Sequence, residues 1–262
     1  MKNIRNINFI AILKAEFLKY KRSHALILTI VAPIFLASMF FLGYYLKGAE
    51  FLQEGMNGWR HLIRNSFVVG SSFLFPMYII LLSLLIHQIE HRINGYKLCF
   101  TWPVKRWKVI TAKIMAVELL IAFSLLIFGL ALFLGGTIIE WHLPHLFEFD
   151  IELVGFTATI LLGIFASCTF MTAIQFWASM NWKNAVIPIA IGMAGLISII
   201  VLSKGWEYAD FHPYGLTNYS LSKVLFEGSR PILNRINLYG LAGGIVIYLL
   251  GSIAMTKKKI LG

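Results

Sequence analysis

The sequence has few charged residues and almost no cysteine. Only 13% of its 262 residues are charged, 2 are cysteines and 7 are prolines. A water-soluble domain of this length exposes far more charge, so the composition excludes an ordinary soluble enzyme. With one cysteine in a basic loop (Cys99) and the other in an apolar segment (Cys168), we expect no disulfide, which excludes a disulfide-rich secreted scaffold.

The chain also contains no Gly-Lys pair. A P-loop needs Gly-Lys followed by Ser or Thr, because backbone amides and the Lys side chain hold the nucleotide phosphates. The chain therefore cannot hydrolyse ATP by that route. We expect no catalytic residue and no cofactor bound by this chain.

Long apolar runs are what the sequence has in abundance. A helix of about 20 mostly apolar residues crosses the ~30 Å hydrocarbon core of a bilayer. Six segments meet or nearly meet that length: residues 25–46, 67–86, 109–134, 153–177, 185–202 and 238–255. The sequence thus predicts an all-α polytopic membrane protein with six transmembrane helices, forming a single membrane domain over residues 1–262.

The basic residues indicate the orientation of these segments. Sixteen of the 23 Lys and Arg residues lie before the first segment, in the loops after the second and fourth, just inside the third segment (Lys113), or after the sixth. Because cytoplasmic loops collect Lys and Arg, both termini are predicted to be cytoplasmic. The net charge of +11 is spread along membrane edges, next to anionic lipid, and predicts no nucleic-acid partner.

Residues 1–24 form the first cytoplasmic stretch. Within residues 4–20, apolar residues recur every three to four positions with basic residues between them. This spacing predicts an amphipathic elbow helix lying on the inner leaflet. Such a helix is either a simple anchor or also a contact for a cytoplasmic partner.

The loop at residues 88–108 mixes basic, aromatic and apolar residues, and Lys113 follows it in the third segment. Its distinctive residues are Glu90, Gly95, Lys97, Trp102, Pro103, Arg106 and Lys108. This run resembles the E…G…K…LP-S-R…K pattern that follows the second span in type-2 ABC exporter permeases, with Trp102 where Leu is commoner. Size, six spans and inward termini extend the resemblance over the whole chain.

The resemblance implies that the loop carries a coupling helix, which sits in a groove of a separate ATPase subunit holding ATP and Mg. It also implies a second permease subunit, the same or related, and re-entrant helices in the external loop 203–237. The FHPYGL segment (residues 211–216) resembles lantibiotic-immunity permeases. We therefore expect a bacterial cell-membrane exporter of amphipathic cationic peptides or lipid-like compounds.

An enzyme alternative comes from His87, Glu90 and His91, which spell H-x-x-E-H. In that order two histidines one helical turn apart can bind zinc, and the Glu can act as general base. This pattern predicts a membrane-embedded zinc metallohydrolase; otherwise the histidines lie at the membrane interface and bind no metal. A secondary carrier or a non-catalytic membrane scaffold is a further alternative.

Two further features invite a functional interpretation. Glu118 is the one acidic residue inside a predicted span, where it either forms an ion pair, with Lys113, Lys183 or a partner subunit, or acts in gating. The external loop after the third span is acidic and aromatic, with Trp141, Phe147, Glu148, Asp150 and Glu152 as candidate contacts for a cationic substrate. Alternatively, that loop merely lacks Lys and Arg because it is external.

Overall fold

The computed structural model describes residues 8–52, 55–93, 104–227 and 234–257. These parts are helical and contain no β-strand. The α-helices are α1 (Phe9–Tyr20), α2 (His24–Phe51), α3 (Gly58–Val69), α4 (Phe75–Arg92), α5 (Arg106–His142), α6 (Glu152–Asn181), α7 (Val186–Leu202), α8 (Leu216–Glu227) and α9 (Arg235–Lys257). A π-helical segment, Gly70–Leu74, joins α3 to α4, and a 3₁₀ turn, Ala209–Phe211, precedes α8.

Polar residues begin the first three helices. The side chains of Asn8, Ser23 and Asn57 accept hydrogen bonds from backbone amides in the first turns of α1, α2 and α3. Such caps satisfy amides that have no partner within the helix. Arg22 separates α1 from α2 with a φ of 63°, a left-handed conformation that turns the chain between the two helices.

Five helical stretches are long and apolar enough to cross a membrane, which makes this a multi-pass membrane protein. They are His24–Gly48, Gly58–Arg92, Arg106–His142, Glu152–Asn181 and Arg235–Met255. The remaining predicted segment, 185–202, forms α7, which is apolar but has 17 residues. At 1.5 Å per residue α7 is about 25 Å long, short of the ~30 Å core, so the count of six spans stays a prediction.

Helix α6 lies at the centre of the bundle and contacts α4, α5, α7, α8 and α9. Small residues bring α9 close to it: a Cβ added at Gly240 would lie 2.5 Å from the Cα of Ser167, and one added at Gly244 would lie 2.6 Å from the Thr169 side chain. Glycines on a transmembrane helix allow this close backbone approach. Helices α1 and α2 pack on α5.

Helix α3, the π-helical segment and α4 form one continuous helical stretch of 35 residues. The backbone amide of Phe75 donates to the carbonyl of Gly70, the spacing of a π-helix. The Ser71 carbonyl in this segment accepts a hydrogen bond of 3.1 Å from the Thr217 hydroxyl of α8. This bond ties α8 to the α3–α4 junction.

The bundle has two ends, named here by the helices they hold. The α1 end contains α1, the end of α4 and the start of α5; the α3 end contains α3, the end of α5, residues 143–152 and α8. At the α3 end, the 3₁₀ turn and α8 are short helices within the predicted external loop 203–237. Their entry into the membrane, like the inner-leaflet position of α1, stays a prediction.

Candidate functional site

Four alternating charges form a closed ring where α1, α4 and α5 meet. Lys113 Nζ lies 2.6 Å from Glu90 Oε1 and 2.8 Å from Glu16 Oε2. Lys19 Nζ lies 2.7 Å from Glu16 Oε1 and 2.8 Å from Glu90 Oε1. Each carboxylate therefore binds both ammonium groups. We call Glu16, Lys19, Glu90 and Lys113 the charge ring.

The charge ring is buried at the α1 end. The side chains of Glu16, Glu90 and Lys113 are each 3% exposed, and that of Lys19 is 30% exposed. Charges removed from water are tolerated only when they are paired and hydrogen-bonded, and breaking such a pair leaves an uncompensated charge. The ring therefore holds the ends of three helices in one arrangement.

Two groups of α1 show the electrostatic effect of the ring. Burial and repulsion from Lys113 lower the pKa of Lys19, but attraction to Glu16 and Glu90 outweighs them, so that this pKa is raised. Burial, followed by the negative charges of Glu16 and Glu90, raises the pKa of Tyr20 well above its usual value. Tyr20 is therefore a neutral phenol, and its hydroxyl donates to Glu16 Oε2 over 3.4 Å.

The local sequence explains how α1 brings Glu16 into the ring. Ile12, Glu16 and Tyr20 recur every four residues and are the buried positions of α1. Residues at this spacing share one helix face, so Glu16 stands in the middle of an otherwise apolar face. A carboxylate on an otherwise apolar helix face is a sequence signal that could have identified Glu16 as a functional residue. Neither Glu16 nor Lys19 was predicted as a site residue.

The remaining members of the ring lie at the two ends of the predicted coupling loop, residues 88–108. Glu90, near the start of that loop, lies in the last turn of α4, and Lys113, five residues after its end, lies in the second turn of α5. Arg106 and Lys108 are half-buried in the first turn of α5. The other predicted coupling residues, Gly95, Lys97, Trp102 and Pro103, lie outside the described residues.

The two histidines of the H-x-x-E-H pattern bond to backbone carbonyls. His87 Nδ1 lies 2.7 Å from the Ser83 carbonyl oxygen, and His91 Nε2 lies 2.9 Å from that of Ser179. A carbonyl only accepts, so these nitrogens carry the ring protons, and a metal could be bound only by the opposite nitrogens, Nε2 of His87 and Nδ1 of His91. His87 is also fully buried within the bundle, and its position at the membrane interface stays a prediction.

The third residue of that pattern, Glu90, belongs to the charge ring and is bound by two ammonium groups. Within the described ranges, no group of three or more His, Cys, Asp and Glu side chains could hold a metal ion. The geometry therefore gives no support to the metallohydrolase alternative.

Glu118 accepts a hydrogen bond of 2.7 Å from the Tyr248 hydroxyl of α9. Within the described residues it forms no ion pair, because Lys113 binds Glu16 and Glu90 instead. Lys113 and Glu118 are five residues apart on α5, about 140° around the helix, so they point in different directions. The predicted pairing of Glu118 with Lys113 is therefore wrong, and a gating role stays a prediction.

The acidic stretch that is predicted to be external is only partly exposed. Trp141 is 85% exposed, and Glu148, Asp150 and Glu152 are exposed as well. Phe147, in contrast, is 1% exposed and packs edge-on against Tyr44 and Trp59. The prediction of Phe147 as an exposed substrate contact is wrong, because this ring belongs to the core at the α3 end.

Comparison with known proteins adds one match. The sequence model of a family described as "ABC-2 family transporter protein" matches residues 12–199, which is more than half of the chain. The matched region includes all four residues of the charge ring. No curated protein and no solved structure matches the chain.

Proposed function

The chain belongs to the ABC-2 transporter family, and on that premise we propose that it is the permease subunit of an ATP-driven exporter. Membership of this family implies an ABC ATPase as partner. In this proposal, two permease subunits form the transport pathway, and α7 serves as a short sixth span. Both termini, and with them the α1 end, face the cytoplasm of a bacterial cell.

One observation carries the coupling proposal: the charge ring joins α1 to both ends of the predicted coupling loop. Because the ring is buried, its members separate only at a high electrostatic cost. A displacement of the loop by the ATPase subunits would therefore move α1, α4 and α5 together. Rigid movement of such helix ends is a common way of converting an external displacement into a rearrangement of a bundle.

The proposed cargo is an amphipathic cationic peptide, with lantibiotics as the specific case, or a lipid-like compound. Trp141, Glu148, Asp150 and Glu152 support a cationic cargo, because they present exposed aromatic and acidic groups at the α3 end. Negative charge attracts a cationic peptide, and an indole ring packs against its apolar side chains.

The test uses Lys19→Met in the chain reconstituted with its ATPase subunit. Loss of this ammonium group removes the direct Lys19–Glu90 contact between α1 and α4 and leaves Lys113 as the one cation of the ring. The connection between α1 and the coupling loop is thereby weakened, so we expect ATP hydrolysis to continue while peptide export falls. Lys14→Met is the matched control, since Lys14 is an exposed lysine of the same helix. Thermal unfolding of both variants checks the fold. Export by Lys19→Met at the wild-type ratio of peptide to ATP would refute coupling through the ring.

A further inference from the structure

A cavity of about 670 Å³ opens at the α3 end, between α3 and α8. Its walls are stripes of residues at helical spacing on these facing helices, together with Met56 next to α3. From α3 they include Arg60, His61, Arg64 and Asn65, and from α8 Asn218 and Ser222. None of the described residues that line the cavity is acidic. This volume lies in the range of small-molecule binding sites.

An aromatic ring contacts each of the two arginines. The Arg64 guanidinium lies 4.9 Å from the ring centroid of Phe226, and that of Arg60 lies 5.6 Å from the centroid of Phe156. In the described parts of the chain, neither forms an ion pair. A guanidinium that stacks on an aromatic face directs its N–H groups outward from the edge of its plane. In that arrangement two N–H groups can bind two phosphate oxygens at once.

A partly buried hydrogen-bond network sets the orientation of the neighbouring polar groups. Asn65 Nδ2 donates to the Tyr44 hydroxyl over 2.8 Å, and that hydroxyl lies 2.8 Å from His61 Nδ1 and donates to the His61 carbonyl over 3.4 Å. His61 and Asn65 are thereby held in fixed positions in the wall that also contains the two guanidinium groups.

The position of the arginines along the helix indicates the source of the anion. The apolar run 67–86 has 20 residues and matches the ~30 Å hydrocarbon core. Arg64 and Arg60 lie one and two turns beyond that run, at the depth of lipid headgroups. Val68, Leu225 and Phe226 give the same cavity an apolar wall.

We propose that this cavity binds the phosphate group of an anionic lipid, with Arg60 and Arg64 as the ligands of its oxygens. The apolar wall contacts the adjoining acyl chain. The two arginines could also bind free phosphate, but free phosphate has no apolar part that would contact the apolar wall. The inference goes beyond the proposed export function, and binding requires no ATP.

The first experiment measures lipid retention. The full chain is reconstituted in nanodiscs of phosphatidylcholine with or without phosphatidylglycerol, and bound lipid is counted by native mass spectrometry. We expect Arg60→Gln/Arg64→Gln to weaken phosphatidylglycerol binding by at least about tenfold, since charge-assisted hydrogen bonds are lost. Lys47→Gln/Lys204→Gln, which removes the same charge from exposed positions outside the cavity, should bind as the wild type does.

A second variant and a measurement of phosphate binding complete the test. Ser222→Trp fills the cavity without changing its charge, so it should also lose the lipid; thermal unfolding identifies any variant that fails to fold. Retention by Arg60→Gln/Arg64→Gln equal to that of the control pair would overturn the site. Arginine-dependent binding of inorganic phosphate without phosphatidylglycerol would overturn the lipid assignment. Loss of lipid on assembly with the ATPase and a second permease subunit would show a protein-covered surface and overturn the proposal.

Discussion

Lys113 Nζ lies 2.6 Å from Glu90 Oε1, although the two residues are 23 apart in the sequence and most of the predicted coupling loop lies between them. This pair joins the end of α4 to the start of α5, and Glu16 and Lys19 add α1 to the same contact. The segment between Glu90 and Lys113 therefore begins and ends at one buried point. We expect a displacement of this segment to act on α1, α4 and α5 together.

Loss of the Lys113 ammonium group should destabilise the protein strongly. Lys113→Met leaves two buried carboxylates with only Lys19 to compensate them, and we expect a loss of about 3–5 kcal/mol in the free energy of unfolding. Lys47→Met is the control, because the Lys47–Glu50 pair is 63% and 70% exposed and water already screens it. Unfolding in detergent measures both. Equal stability of the two variants would contradict the structural role of the ring.

Helix α9 should tolerate no side chain at Gly240. A Cβ there meets the backbone of Ser167 at 2.5 Å, and backbone cannot move aside as a flexible side chain can. We expect Gly240→Ala to cost about 1–3 kcal/mol of stability. Gly43→Ala, in α2, has nothing within 4 Å of the new atom and should be neutral or slightly stabilising, since Ala favours helix. The melting temperatures of the two variants should therefore move apart.

Cysteine labelling in intact cells tests the predicted orientation. In a variant without Cys99 and Cys168, we expect Glu148→Cys to react with a membrane-impermeant maleimide and Lys183→Cys to be protected. Both native side chains are exposed, so accessibility within the fold does not distinguish them. Labelling in permeabilised cells, where both should react, is the control. The reverse pattern in intact cells would place the α1 end outside.

The histidine at the end of α4 should be replaceable. Gln at position 91 keeps an N–H that can donate to the Ser179 carbonyl, but it is a poor zinc ligand. We expect His91→Gln to preserve resistance to a cationic peptide in cells that carry the whole exporter. Elemental analysis of the wild-type protein supplies the control. Stoichiometric zinc together with loss of resistance in the variant would favour the hydrolase alternative.

The long apolar helices were predictable from the sequence, because the length and composition of an apolar run indicate a membrane-spanning helix without any knowledge of the helices it contacts. The polar helix α3 was not, since Arg60 and Arg64 broke the apolar run and only their i, i+4 spacing suggested a helix face. The rule that Lys and Arg collect in cytoplasmic loops also drew attention away from Arg60 and Arg64. Under that rule, arginines in a loop predicted to be external count only as exceptions, whereas both of these line a cavity.

The partners within the charge ring could not be predicted for a different reason. Glu16 and Lys113 are 97 residues apart, and no local pattern specifies which of several charges near one membrane edge will meet. From its place about two turns into the third span, Glu118 was predicted to pair with Lys113, Lys183 or a partner subunit. The angle between the positions of Lys113 and Glu118 on α5 excludes the first of these pairs, and Tyr248 takes the place of the expected cation.

The π-helical segment Gly70–Leu74 changes the direction in which the side chains of α3 point relative to those of α4, without interrupting the helix. Each residue of an α-helix turns the side-chain direction by about 100°, and the wider π turn accommodates about one residue more. The azimuth of α3 is thereby set independently of α4, whose buried face must fit the core. Deleting one residue at Ser72 would turn Arg60 and Arg64 about 100° away from α8 without breaking the helix. The extra residue of the π turn therefore determines whether Arg60 and Arg64 face α8, while the buried face of α4 stays unchanged.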